Sequence, residues 1–272
     1  MAYLEKLQTA INARQSLLCV GLDPDLARLP THFPSTPDGA FRFLRAIIGS
    51  TSDFACAYKP NLAFFEALGP AGLELLQATL AVIPSDIPVI GDAKRGDVGH
   101  TAHQYAVALF ERYHVDAVTV NPYLGEDALE PFLAHADRGI YVVCRTSNPG
   151  AAAVQNLPVQ RNGETRPLYE HVALLVQSWN RNQNCGLVVG ATAPAELSQI
   201  RRLTPHLPLL VPGVGEQGGD LVTAVAVHRE DAPVVINASR SILYASRGSD
   251  FASAAAIVAR NLRDAIRRAF PS

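Results

Sequence analysis

The sequence predicts a single (β/α)8 barrel domain over residues 1–272, with a lead helix before its first strand. Three observations carry that expectation. Short β-branched, apolar runs recur eight times, each ending in polar or glycine residues and each followed by a stretch of helical spacing. The runs are apolar through most of their length, as parallel strands covered by helices must be. Setting aside the 16 residues before Leu17 leaves 256 of the 272, or 32 per unit, close to the roughly 30 that a βαβ unit needs. An open doubly wound sheet normally carries fewer strands and a Gly-x-Gly-x-x-Gly turn after the first. Here the first strand runs out as Val20-Gly-Leu-Asp-Pro24, without that turn.

The elements follow in order. Leu4, Leu7 and Ile11 give the lead helix an apolar stripe. Strands are expected at 17–21, 54–59, 88–92, 117–121, 139–145, 186–190, 207–212 and 233–237. Helices are expected at 41–48, 66–83, 98–113, 127–134, 167–179, 195–203, 221–227 and 252–270. One long stretch, Ser147–Arg166, reads as irregular; after the fifth strand it would overhang the barrel face where active sites form.

Composition narrows the function. With 48% hydrophobic and 18% charged residues the chain can bury a sizeable core. Its 23 basic and 25 acidic residues offer no broad cationic field for nucleic acid or an anionic membrane, so a bound anion must be caught locally. No apolar run approaches the roughly 18 residues of a membrane span. The first residues contain Glu5 and lack the apolar core of a signal peptide, so a cytoplasmic protein is expected. Cys19, Cys56, Cys144 and Cys185 are far apart and sit in or beside strands, which suits buried filler better than zinc or disulfides.

Chemistry in such a barrel comes from the C-terminal ends of strands. Asp23 follows the first strand, Lys59 ends the second, and Asp92-Ala-Lys-Arg-Gly-Asp97 ends the third. Asp92 and Lys94 are two apart, so on a regular strand they share a face. With Lys59 and Asp97 they make a set of two cations and two anions in which each lysine has a carboxylate to favour its charged form. The bland alternative is a salt-bridge network stiffening the mouth. A second constellation suits phosphate. Gly213, Gly215, Gly218 and Gly219 allow close backbone approach, Gln217 can donate, and Ser239-Arg240 opens a short helix with a bidentate guanidinium. His100 and His103 lack companion ligands, no Gly-x-Ser-x-Gly elbow occurs, and Asn61 and Asn121 suit structural hydrogen bonding.

The ordered pieces Gly21-Leu-Asp23, Lys59-Pro-Asn61, Asp92-Ala-Lys-Arg-Gly-Asp-Val98, Val120-Asn-Pro-Tyr-Leu-Gly125, Thr146-Ser-Asn148, Pro212-Gly-Val-Gly215 and Ala238-Ser-Arg240 resemble orotidine 5′-phosphate decarboxylases over nearly the whole chain. The resemblance implies loss of CO2 from C6 of orotidine 5′-phosphate to give UMP, with no metal or organic cofactor. It implies that Lys94 stabilises and protonates the C6 carbanion, that Asp92 lies near the departing carboxylate, and that Lys59 and Asp97 complete the charge network. Asp23 and Lys59 would touch the ribose, Ser147 the pyrimidine edge, and Gln217, Arg240, Gly215 and Ser239 the phosphate. Ser239 stands where glycine is common. The resemblance also implies a homodimer in which Asp97 and Thr101 enter the neighbour's site.

Three other readings compete. A Mg2+-dependent sugar-phosphate decarboxylase or aldolase of the same superfamily would carry an acidic ligand where Lys59 stands. Schiff-base chemistry at Lys94 would need a neutral amine. A non-catalytic phosphate-binding barrel would bind UMP and release no CO2.

Overall fold

The computed structural model describes residues 1–214 and 220–270. Its strands are β1 (Leu18–Leu22), β2 (Ala57–Pro60), β3 (Ile90–Arg95), β4 (Ala117–Val120), β5 (Gly139–Arg145), β6 (Pro158–Arg161), β7 (Glu164–Pro167), β8 (Cys185–Val189), β9 (Leu209–Pro212) and β10 (Val234–Ala238). All but β6 and β7 form one parallel sheet in the order β2-β1-β10-β9-β8-β5-β4-β3. The ends meet: Tyr58 bridges Val89, Asn61 bridges Asp92, and the Tyr58 N–H donates to the Pro88 carbonyl at 3.0 Å. Closure removes the sheet edges and gives the eight-stranded barrel its periodicity demanded.

The helices are α1 (Tyr3–Arg14), α2 (Pro37–Thr51), α3 (Leu62–Glu66), α4 (Pro70–Ala81), α5 (Gly99–Ala106), α6 (Glu130–Leu133), α7 (Ala152–Gln155), α8 (Leu168–Trp179), α9 (Pro194–Leu203), α10 (Leu221–Ala226), α11 (Arg240–Leu243) and α12 (Phe251–Ala269). Their starts follow local chemistry. The Thr36 hydroxyl accepts the Gly39 N–H ahead of α2, the Asn61 carboxamide accepts that of Ala63 ahead of α3, and Asp220 accepts that of Thr223 ahead of α10. One buried apolar cluster runs from Tyr3 to Ile266 and includes all four cysteines. Among the described residues no helix is long and apolar enough to cross a membrane.

The lead helix α1 closes the barrel at the strands' N-terminal ends. Tyr3, Leu7 and Ile11 are buried, and the Tyr3 and Tyr141 hydroxyls meet at 2.9 Å. Gly139, which opens β5, makes room for this, since a Cβ there would stand 2.3 Å from the Tyr3 ring. The opposite, C-terminal end stays open, and the charged residues collect there.

Two expectations are corrected. The helix anticipated over 66–83 runs only from Pro70 to Ala81, because α3 ends at Glu66, Gly69 takes φ 64° and Pro70 restarts the chain as α4. The stretch at 147–166 is not irregular. A single turn at Pro149–Ala151 leads into α7, and β6 and β7 pair as an antiparallel hairpin from Pro158↔Pro167 to Arg161↔Glu164. Asn162 and Gly163, at φ 51° and 81°, make the two-residue turn that such a hairpin favours.

Candidate active site

At the open end three side chains lie in a row. The Lys59 ammonium, on β2, donates to Oδ2 of Asp92 at 2.6 Å, and the Lys94 ammonium donates to Oδ1 at 2.5 Å. Lys59 and Asp92 are buried, whereas the Lys94 side chain is 49% exposed toward the mouth. Burial alone would raise the Asp92 carboxyl, but the Lys59 and Lys94 ammonium groups outweigh it and hold the acid well below the usual carboxylate range. Burial likewise works against the Lys59 ammonium, yet Asp92, and then Asp23, lift it above its ordinary value. The carboxylate between two amines is therefore ionised at any physiological pH.

Lys94 does not reach its place along a regular strand. The register of β3 against β4 passes from Gly91↔Val118 directly to Arg95↔Val120, so Asp92, Ala93 and Lys94 bulge opposite Thr119 alone. Lys94 sits at φ 48°, a left-handed conformation that costs an L-residue about 1–2 kcal/mol. The ladder resumes where the Asn121 N–H donates to the Arg95 carbonyl at 2.8 Å. Inside the bulge the Lys94 N–H donates to the Thr119 hydroxyl at 3.0 Å, and that hydroxyl donates to Oδ1 of Asp92 at 2.9 Å. The two-residue spacing that put Asp92 and Lys94 on one face is thus met by a different backbone path. Sequence reasoning missed Thr119, whose only trace is one hydroxyl in the apolar run Ala117-Val-Thr-Val120.

Asp97 stands outside this row within a single chain. Its carboxylate accepts the Val98 N–H at 2.7 Å and lies partly exposed, as does Thr101 in α5. Of the expected set of four charges, three come together in this chain. Gly96 brings this loop against the next, for a Cβ there would stand 2.7 Å from the Asn121 carbonyl oxygen. Val98, Tyr123 and Leu124 are all exposed on the two adjoining loops.

Beside the row is a cavity of about 300 Å3, lined in part by Asp23, Asn61, Ser147, Gly213, Ser239 and Arg240. Asn61 ties it to the charges, because its backbone bridges Asp92. The Ser239 hydroxyl donates to Oδ2 of Asp23 at 2.5 Å, leaving Asp23 Oδ1 buried and without a partner among the described residues. Ser147 packs its backbone N–H against Gly190, where a Cβ would come within 2.8 Å. Gly213 takes φ 96° as the chain leaves β9. Gln217 and Gly215 lie outside the described residues. Cavities of about 310 and 320 Å3 also occur away from the mouth, so size does not single out this one; the converging charges do.

The model of the orotidine 5′-phosphate decarboxylase / HUMPS family matches residues 16–255. An orotidine 5′-phosphate decarboxylase of Herpetosiphon aurantiacus is 56% identical over 259 residues, covering 95% of each chain. That of Thermomicrobium roseum is 51% identical over 271 residues, covering 98% of this chain and 96% of its own. The chain belongs to the orotidine 5′-phosphate decarboxylase / HUMPS family. Among solved structures, the OMP decarboxylase of Leishmania donovani superimposes with a TM-score of 0.83 at 38% identity, over 98% of this chain and 99% of that one. The UMP synthase of the same organism gives a TM-score of 0.86 at 39% identity over 98% of this chain and 57% of its own. The residue facing Asp92 from β2 is Lys59, which presents an ammonium where a divalent cation would need an acid. Among the described residues no three His, Cys, Asp or Glu side chains converge to hold a metal ion.

Proposed function

We propose that this chain converts orotidine 5′-phosphate to UMP and CO2, the decarboxylation that completes UMP in pyrimidine synthesis, and that its Lys59–Asp92–Lys94 row performs the chemistry. The relatives that match over nearly its full length are named for this activity, and the row beside a nucleotide-sized cavity is the single structural observation that carries the mechanism. Breaking the C6–carboxylate bond leaves an electron pair on C6 that the ring delocalises poorly. The Lys94 ammonium, fixed at the mouth, stabilises that pair as it forms and then gives C6 its proton. The resulting amine regains a proton from solvent, to which its side chain is half open. Enzymes lower barriers by roughly 8–23 kcal/mol, and charges fixed in advance commonly supply the largest share.

In this reading Asp92 orients Lys94 and lies near the leaving carboxylate. Asp23 and Lys59 bind the ribose, Ser147 the pyrimidine edge, and Arg240, Ser239, Gly215 and Gln217 the phosphate. Remote binding energy at the phosphate end fixes the ring against Lys94. The active form is a cytoplasmic homodimer in which Asp97 and Thr101 complete the partner's site. Support for the dimer comes from the adjoining loops, where apolar Val98, Tyr123 and Leu124 face outward beside Asp97.

The test is the fall in pyrimidine absorbance, with CO2 captured in parallel, on adding orotidine 5′-phosphate in the presence of a chelator. Steady turnover is expected. Tight UMP binding without CO2 release would leave a phosphate-binding barrel, and turnover abolished by the chelator would move the chain to the metal-dependent branch.

A further inference from the structure

We propose that Thr119 is a positioning residue for Lys94, and that its hydroxyl aims the reacting amine by bonding the lysine's backbone N–H and the Asp92 oxygen that holds its ammonium. The inference rests on the role assigned to Lys94 above. Three hydrogen bonds and one side chain close a ring. The Lys94 N–H donates to Thr119 Oγ1 at 3.0 Å, Thr119 donates to Asp92 Oδ1 at 2.9 Å, the same Oδ1 accepts the Lys94 ammonium at 2.5 Å, and the lysine's own side chain completes the circuit. The directions are forced. A backbone N–H can only donate, so the hydroxyl accepts there and has its one proton left for the carboxylate.

The ring sits where the backbone needs it. On a regular strand the Lys94 N–H would face β2, as the Pro88 carbonyl does, but the bulge turns it toward β4 and places three β3 residues opposite one there. A side-chain oxygen accepts it there and helps to hold Lys94 at its left-handed φ. Thr119 is itself fully buried on β4, so its hydroxyl is fixed by the barrel wall. Without that hydroxyl, Asp92 Oδ1 would keep only the ammonium it is meant to direct, and the lysine backbone would lose a partner. A residue that touches no substrate would then set the height and angle of the amine over the cavity.

Thr119→Val keeps the shape and removes the hydroxyl, Thr119→Ser keeps the hydroxyl and removes the methyl, and Thr119→Ala is measured alongside in case Val does not fold. Turnover of orotidine 5′-phosphate and binding of UMP by calorimetry are read for each. Val, or Ala in its place, is expected to lower kcat about ten- to a hundredfold while KM and UMP affinity stay within about twofold. Ser is expected to keep kcat within about threefold. Wild-type kcat in Val or Ala, a loss in Ser equal to theirs, or a fall in UMP affinity matching the fall in kcat would each overturn the inference. Absence of CO2 release by the unaltered chain would instead defeat the functional reading, and this inference with it.

Discussion

The Ser239 hydroxyl reaches Oδ2 of Asp23 at 2.5 Å across the seam between β10 and β1. This contact joins the start of α11, which carries Arg240, to the acid assigned to the sugar. One residue thereby couples the part of the cavity proposed to hold phosphate to the part proposed to hold ribose. Ser239→Ala removes the hydroxyl and keeps the backbone N–H. It should raise KM for orotidine 5′-phosphate about fivefold, with kcat changed less, because a hydrogen bond to a charged group is lost away from the reacting carbon. Calorimetry with UMP against inorganic phosphate checks this; equal losses for the two would mean that the serine acts on phosphate alone.

The same serine explains Gly21. A Cβ built on Gly21 would lie 2.6 Å from the Ser239 Cβ and 2.9 Å from its hydroxyl oxygen. Gly21→Ala should therefore destabilise the barrel by about 1–3 kcal/mol through overpacking. It should also displace Asp23, two residues on. Ser239→Gly in the same chain removes the offending atom and should restore most of the melting temperature. Thermal unfolding of the two single variants and the double variant measures the coupling, and additive losses would count against the contact.

These contacts mark how far sequence reasoning reached. The eight strands were legible because each is an apolar run cut off by Gly, Pro or a charge, and the barrel needs nothing subtler. Lys59, Asp92 and Lys94 were legible as neighbours because all three are charged residues at the ends of adjacent strands, where closure brings them together. Asp97 did not join them, since a sequence motif gives spacing along the chain, and the bulge at Asp92–Lys94 sends the chain to the Val98 turn before Asp97 can reach the row. Thr119 stayed hidden because a threonine is at home in any strand. Its importance comes from a register shift between β3 and β4, and register is a property of two strands together. The Asn162-Gly163 turn carries a hairpin signal, but its flanks are rich in Ala, Pro and polar residues and lack the alternating apolar pattern that marks strands.

Asp92 lies between two amines, so neutralising it has a pH-dependent cost. Asp92→Asn leaves the buried Lys59 ammonium with only the more distant Asp23 charge, and a buried pair broken on one side typically costs about 3–5 kcal/mol. In the unaltered chain the acid's depressed titration stabilises the fold above its unfolded value near 3.8, and this is lost only as pH falls through the folded value. The raised Lys59 contributes below its unfolded value of 10.5, and this is lost only at more alkaline pH. Stability from the pair is thus flat between about pH 5 and 9. In the Asn variant burial prevails, the folded lysine binds its proton less readily than the unfolded one, and stability should rise with pH. Urea denaturation at pH 6 and pH 9.5 tests this: the gap between variant and parent should narrow at the higher pH, and a constant gap would show that the lysine remains fully compensated.

In the proposed mechanism Lys94, paired with Asp92, serves the carbon that gains the electron pair, and Arg240, which lines the cavity, serves the phosphate. Their losses should therefore divide between the two kinetic constants. Lys94→Ala should lower kcat at least about a thousandfold, since both a fixed charge and a proton donor disappear. Its affinity for UMP should stay near that of the parent, because the phosphate grip is untouched. Arg240→Ala should raise KM about ten- to a hundredfold, the worth of charge-assisted bonds to phosphate. At saturating substrate, kcat should fall only as far as phosphate binding energy is used to fix the ring. Steady-state kinetics on the two variants, with UMP titrations beside them, separate the roles. Near-parental kcat without Lys94, or an unchanged KM without Arg240, would return that residue to the barrel's ordinary surface chemistry.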